Sequence, residues 1–327
     1  GSEMCIRDSS YEAQVYHNAT AYTLLPTQGR PGYTRKFINM YLMKDGKAFT
    51  DKFKTEWQTM PFTEEVKDRD PRLAQSIRTP GYKRIGAKRV QGPDLGVTIT
   101  GYQPIKFVQD TTASGGQIDR NDRSTCDMPV FRYAEVLLNY AEAKAELGSL
   151  SDDDLNITIN EIRSRVGMPA LTMKYLHDKQ PDWYLSSEEY GYPNVTGSNE
   201  IVNAILEIRR ERAIELLLEG RRYDDLMRWH LGGLLNKQWY GIYIGEVDKA
   251  YDLNNDGVND VCVTDKAGSE PGVKYIVRNS ERTLEEGNSG RLVYNLQRYF
   301  DEQRYVHPIP KTALDKNPDL GQNAAWK

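Results

Sequence analysis

The spacing of apolar residues changes twice along this chain. Between about residues 19 and 127, Gly and Pro interrupt every apolar run, with Pro26, Gly29, Pro31, Gly32, Pro61, Pro71, Pro80, Gly81, Gly92, Pro93 and Gly101 as breaks. Short elements and long loops are expected there. Only residues 33–43 hold a helical spacing, through Phe37, Met40 and Tyr41, before Asp45-Gly46 forces a turn. At Pro129, which pre-sets φ for a first helical turn behind Asp127, the period becomes that of a helix. Ala134, Leu137, Leu138, Ala141 and Ala145 form one face, Glu135, Asn139, Glu142 and Glu146 the other, and Gly148 supplies the stop.

Ser151 with Asp154 then approximates a capping box, and Leu155, Ile159, Ile162 and Val166 recur until Gly167. The short connection predicts an antiparallel hairpin over about residues 129–167. A second hairpin is expected over about residues 199–231, with Ile201, Ala204, Ile205 and Ile208 opening a helix that runs through Leu218 to Gly220. Tyr223, Leu226, Met227 and Trp229 carry its partner to His230 before Gly232-Gly233. The C-terminal remainder reads as loops and short strands, with Val258, Val261 and Val263 beside an Asn/Asp/Gly turn. The fold class is therefore mainly α: a helical-repeat, tetratricopeptide-like scaffold carrying long loops and short strands. Two hairpins fall short of the roughly three that a solenoid needs.

Composition narrows the function classes. Of 327 residues 39% are apolar and 28% charged, enough for a sizeable core and too polar for a membrane-spanning class. Forty-three basic against 47 acidic residues leave a net charge of −4 without any long run of like charges, which removes nucleic acid as a partner. Cys5, Cys126 and Cys262 form neither a paired ladder nor a metal knuckle. Gly1-Ser2 reads as a cloning remnant and residues 1–18 as an unstructured leader, so Cys5 is not a lipidation site and no export signal stands in these residues.

Candidate chemistry is sparse. His17, His177, His230 and His307 are far apart, and neither a metal-binding His pair nor a GxSxG elbow occurs, so no enzyme is indicated. Arg210, Glu211, Arg212, Glu215, Glu219 and Arg221 alternate sign on adjoining turns, which points to structural ion pairs rather than a pair of glycosidase acids. The sharpest local motif runs over residues 252–260. Asp252, Asn254, Asp256, Val258 and Asp260, with Gly257 at the sixth position, match a calcium loop. Val263 stands where the bidentate Glu belongs, so Asp265 is the expected substitute for it, and the competing reading is an Asx-rich turn without an ion.

Several blocks resemble signatures of the SusD/RagB family, in chain order. Tyr41-Leu42-Met43-Lys44-Asp45-Gly46 is similar to its Y-x-M-x-D-G turn. Asp68-Arg69-Asp70-Pro71-Arg72 resembles its N-R-D-P-R block, with Asp68 in place of Asn. Residues 131–143 follow its R-Y-A-E-V-L-L helix almost letter for letter, and residues 210–229 its R-x-E-R-x-x-E-L block. His307-Pro308-Ile309-Pro310, Asn317-Pro318-Asp319-Leu320 and Trp326 resemble its closing block. The resemblance implies the C-terminal region of a SusD-like protein over residues 19–327, with N-terminal helical repeats missing. It implies a glycan-binding, surface-exposed outer-membrane lipoprotein, its signal and anchor absent from this chain, that hands ligand to a SusC-like TonB-dependent transporter. No catalytic residues and no required cofactor come with it, apart from a possible structural Ca²⁺. The rival readings are a binder of peptides or glycoprotein-derived ligands, and a helical-repeat protein that only grips its transporter.

Sugar rings stack on aromatic faces and take hydrogen bonds from polar fans, so loop aromatics are the expected ligand residues. They are Trp57; Trp183, Tyr184 and Tyr190 in residues 170–198, a loop longer than its family counterpart, which also holds Tyr175 and Tyr192; and Trp239, Tyr240 and Tyr243, beside Asn236 and Gln238. Trp229, in the helical block, is expected in the core.

Overall fold

The computed structural model describes residues 16–327; residues 1–15, with Cys5 and most of the expected leader, lie outside them. The last leader residues are structured: His17 pairs as a β-bridge with Ser124, and the Asn18 side chain bonds Asp122 at 3.0 Å. The Gly/Pro-rich third forms only short helices: α1 (Ala19–Leu24), α2 (Arg35–Ile38), α3 (Phe49–Phe53), α4 (Phe62–Glu65), α5 (Pro71–Ser76) and α6 (Ala113–Gly116). Residues 33–43 thus yield one turn of helix, not three.

The helical half contains α7 (Tyr133–Glu146), α8 (Asp152–Asn156), α9 (Ile159–Arg165), α10 (Met173–Asp178), α11 (Trp183–Ser186), α12 (Asn199–Glu215) and α13 (Arg221–Arg228). α7 starts at Tyr133 rather than Pro129, because Arg132 is extended and its guanidinium reaches Glu215 and Glu219. The capping box of Ser151 and Asp154 is present, but the second expected helix is broken at Thr158 (φ −127°, ψ −92°) into α8 and α9. The Thr158 hydroxyl donates to the Asp154 carbonyl at 2.5 Å, drawing on an acceptor the helix would otherwise use. α12 stops at Glu215, and Leu218 (φ 59°) and Gly220 (φ 78°) take left-handed conformations that turn the chain into α13.

α7 packs against α8 and α9 as the first expected hairpin, and α7 and α10 flank α12. The second hairpin is looser. α13 joins α12 through an ion pair between Arg212 and Asp225 at 2.9 Å, while Leu226 and Trp229 enter the core that Leu206 and Ala213 also enter. Among the described residues no helix is long and apolar enough to cross a membrane.

Among the described residues six short strands form two sheets: β1 (Trp239–Ile244), β6 (Gly290–Tyr294) and β5 (Arg282–Leu284) in that order, and β2 (Ala250–Tyr251), β3 (Val261–Thr264) and β4 (Lys274–Val277). The first is antiparallel; in the second, β3 runs parallel to β4. Val261 and Val263 are strand residues as expected, whereas Val258 lies exposed in the turn. Ile242, Ile244, Leu284 and Leu292 meet Val261, Val263 and Ile276 in one core that Tyr41, Leu73 and Ile214 also enter. β1 has an irregularity between Tyr240 and Tyr243, and a side chain at Gly241 would stand 2.2 Å from the Thr100 carbonyl oxygen. The strand is therefore seated directly on the backbone of the Gly/Pro-rich third.

Every α12 residue from Asn203 to Glu215 is buried, including Glu207, Arg209, Arg210, Glu211, Arg212 and Glu215. Buried charges persist only when paired. Glu211 meets Arg72 at 2.9 Å and Arg163 at 2.6 Å; Glu215 meets Arg132 at 2.8 Å, Arg165 at 2.6 Å and Arg72 at 3.2 Å. Glu207 takes Lys179 at 3.0 Å and Arg163 at 3.2 Å, while Arg210 holds Asp182. Arg72 is also clasped by Asp70, at 2.6 Å. Burial alone would raise the Glu211 and Glu215 carboxyls, but the arginines around them outweigh it and hold both below the ordinary range.

Two outcomes follow from this network. Glu211→Ala removes one of the carboxylates that meet Arg72 and Arg163 and is expected to cost about 3 kcal/mol, against about 0.5 kcal/mol or less for exposed Glu161→Ala, both read by urea unfolding. Carboxylates with depressed folded pKa values contribute stability above their unfolded pKa, about 4.3, and lose it as pH falls through the folded value. Tm is therefore expected to drop steeply below about pH 4, and less steeply in Glu211→Gln.

Candidate functional site

Aromatic side chains can serve a ligand only where their rings reach solvent, and burial divides the expected ones. Trp57 is 1% exposed, edge-on to Tyr184 and Tyr190, and its carbonyl accepts from Arg35 at 2.6 Å. Tyr184, also 1% exposed, stacks on Tyr190 with ring centroids 4.5 Å apart. Both are core rings, contrary to the expectation from sequence. Residues 170–198 do not project as a ligand loop: Leu176, Leu185 and Tyr192 fold into the cores around α12. Trp183, 46% exposed, stands edge-on to Tyr184 at the outside of this cover.

Of the remaining rings, Tyr190 and Tyr240 come near each other, and Trp239 precedes Tyr240 at the start of β1. Trp239 opens β1, faces Tyr294 across the strand pair at 6.3 Å, and carries the Arg298 guanidinium 4.3 Å from its ring centre. Tyr240 carries Arg291 at 3.7 Å, and Arg291 is held by Glu285 at 2.7 Å. Tyr190 stands within electrostatic reach of both Tyr240 and Arg291, with the Lys36 ammonium 5.9 Å from its ring. Glu189 bridges to Lys237 at 3.4 Å, tying the loop to the start of β1. Tyr190, Trp239 and Tyr240 are all half-buried. Burial, opposed by Arg291 and aided by Glu285, Glu189 and Tyr190, raises the Tyr240 phenol.

Tyr243 falls beyond the β1 irregularity and lines a different cavity of about 330 Å³ with Tyr251, Glu246, Lys249 and Asp252. Asn236 and Gln238 are not free fans. Asn236 bonds both backbone groups of Phe300, at 2.8 and 2.6 Å, and Gln238 donates to the Tyr294 carbonyl at 2.8 Å. Lys36, Arg291, Tyr294 and Arg298 carry no signal in the sequence, because they come from segments far apart and only the β1–β6 pairing and α2 bring them to one place.

The 252–260 loop closes on itself. Asp252 accepts from the amides of Asn254, Asn255 and Gly257 at 3.0, 2.7 and 2.8 Å, and Asp256 from Val258 at 2.9 Å. Asp260 accepts from the Leu253 amide at 2.8 Å, and Asp265 is paired with Arg278 at 2.8 Å. This is the geometry of an Asx turn. Among the described residues no three His, Cys, Asp or Glu side chains group as metal ligands. The glutamates of α12 are likewise engaged in ion pairs, Glu215 with its arginines at the wall of a cavity of about 330 Å³.

The SusD family model matches residues 7–326. A solved SusD-like protein of Bacteroides fragilis shares the fold at 20% identity and a TM-score of 0.54, covering 90% of this chain and 46% of its own. A SusD-like carbohydrate binding protein of the same organism does so at 23% identity and a TM-score of 0.55, covering 88% and 48%. The chain spans under half the length of these two structures. No curated protein matches it by sequence. With its motif blocks in family order and its fold shared with both structures, the chain belongs to the SusD family.

Proposed function

We propose that the chain captures glycan at the surface formed by Tyr190, Trp239 and Tyr240, without turning it over. The observation that carries this reading is two half-buried rings at the start of β1, each with a guanidinium group laid on it, and a third half-buried ring from the 170–198 loop near Tyr240. Rings supply apolar area for sugar C–H faces, and guanidinium edges supply donors for hydroxyls. The description of one Bacteroides fragilis structure as carbohydrate binding is consistent with it. In the same proposal the helical hairpins are the repeat scaffold of a longer, surface-anchored outer-membrane lipoprotein that passes glycan to a SusC-like TonB-dependent transporter.

A structural calcium ion in the 252–260 loop is a separate proposal. It rests on the sequence spacing and on Asp260, whose carboxyl is raised by burial and by its neighbours Asp252 and Asp256, a repulsion that a cation would relieve. Excess calcium is expected to raise Tm in the wild type and not in Asp256→Asn; an unchanged wild-type Tm removes the ion.

For the glycan site, affinity electrophoresis and calorimetry across a glycan panel are the tests. Trp239→Ala is expected to weaken binding roughly tenfold, and Trp183→Ala to leave it unchanged, with circular dichroism confirming the fold of each. Full affinity in Trp239→Ala/Tyr190→Ala moves the site elsewhere, with the Tyr243 cavity next in line. A chain that binds no glycan but still retrieves a SusC-like transporter is an interaction protein, and one that binds peptides instead supports the glycoprotein-ligand reading.

A further inference from the structure

The charges around the aromatic surface do not balance. Four cations stand there, Lys36, Lys237, Arg291 and Arg298, against Glu189 and Glu285. Both carboxylates are engaged, Glu285 by Arg291 at 2.7 Å and Glu189 by Lys237 at 3.4 Å. Lys36 and Arg298 are left over. The Lys36 ammonium is enclosed with no hydrogen-bond partner, and so are Nε and Nη1 of Arg298, whose Nη2 donates to the Lys237 carbonyl at 3.3 Å. Among the described residues, buried arginines such as Arg72 and Arg163 each meet two carboxylates or more, and Arg69, Arg78 and Arg282 rest on backbone carbonyls; the Lys36 ammonium has neither kind of partner.

Holding charges out of water without a counter-charge is costly, and a ligand that brings one recovers that cost as affinity. Burial lowers the Lys36 ammonium to about 8; Glu189 opposes this, and Lys237 and Arg298 add to it. Burial also lowers the Arg298 guanidinium. These are sites where an arriving anion gains most.

We infer that the surface takes an acidic saccharide, with the ligand's carboxylate or sulfate seated among Lys36, Lys237 and Arg298 and its rings on Trp239 and Tyr190. This rests on the glycan-binding reading and adds the charge of the ligand to it. Lys237, the more open of the two lysines, and half-buried Arg298 provide the direct contacts. Lys36 contributes its charge from beside the Tyr190 ring.

An array pairing uronate-bearing and sulfated glycans with their carboxyl-reduced or desulfated forms tests the inference on the whole chain. Acidic members are expected to bind at least roughly tenfold more tightly than their neutral forms at low salt, and the preference is expected to shrink as salt rises. The uronate and sulfate arms tell the two anions apart. Lys36→Met/Arg298→Gln is expected to erase the preference, read as the ratio of acidic to neutral affinity; if that variant fails to fold, Lys237→Gln, at a more exposed position, is expected to reduce it. Equal binding of acidic and neutral forms, or hits confined to neutral glycans, overturns the acidic ligand and leaves glycan capture standing. Binding to no saccharide at all overturns both.

Discussion

α12 occupies a place where a folded chain normally puts apolar side chains on every side, yet it brings six ionisable residues there. What makes this tolerable is that partners arrive from every neighbouring segment: Asp70 and Arg72 from the Gly/Pro-rich third, Arg132 from the entry to α7, Arg163 and Arg165 from α9, Lys179 and Asp182 from the covering loop, and Asp225 from α13. Such pairs add little net stability over an apolar core of the same shape. Their contribution is geometric: each segment has a seat on α12 where its charge is met, and a misplaced segment leaves its own charge without that partner.

The same network explains what the sequence made legible. The blocks that mark the family supply Arg72, Arg132, Glu142, Arg210, Glu211, Glu215 and Asp225, and these residues turn out to hold the fold together. Their spacing announced two helical segments and their pairing role, because neighbours on a helix face are local in sequence. Less local features escaped. The break at Thr158 depends on one hydroxyl choosing a carbonyl, and the early stop of α12 on a left-handed residue at Leu218. Trp57 and Tyr184 looked like surface rings because a lone aromatic in a loop does not reveal what will later fold over it. Residues 170–198 fold over α12, so much of the aromatic content that suggested ligand contact went into covering it.

The surface proposed to take glycan, by contrast, lies where regular structure is thinnest. Its rings come from the start of one strand and from a loop, and its cations from α2, β6 and the segment beyond it. Backbone pairing of β1 with β6 and the Glu189–Lys237 bridge set the distances, while the helical body supplies rigidity from behind. This separation leaves Trp239 and Tyr240 outside the helical core, while Tyr190 stays stacked on Tyr184.

Gly241 ties the two halves of that arrangement together. Only hydrogen fits between Gly241 and the Thr100 carbonyl, which accepts the Ile242 amide at 2.8 Å, so the strand is held against that backbone when the residues around it change. Ring type at positions 239, 240 and 243 is thus open to variation one at a time, whereas a single methyl group at 241 would displace all three together. A short strand pinned at its middle behaves as an interchangeable fitting: under the proposed reading, the protein can alter what it recognises while keeping where it recognises it.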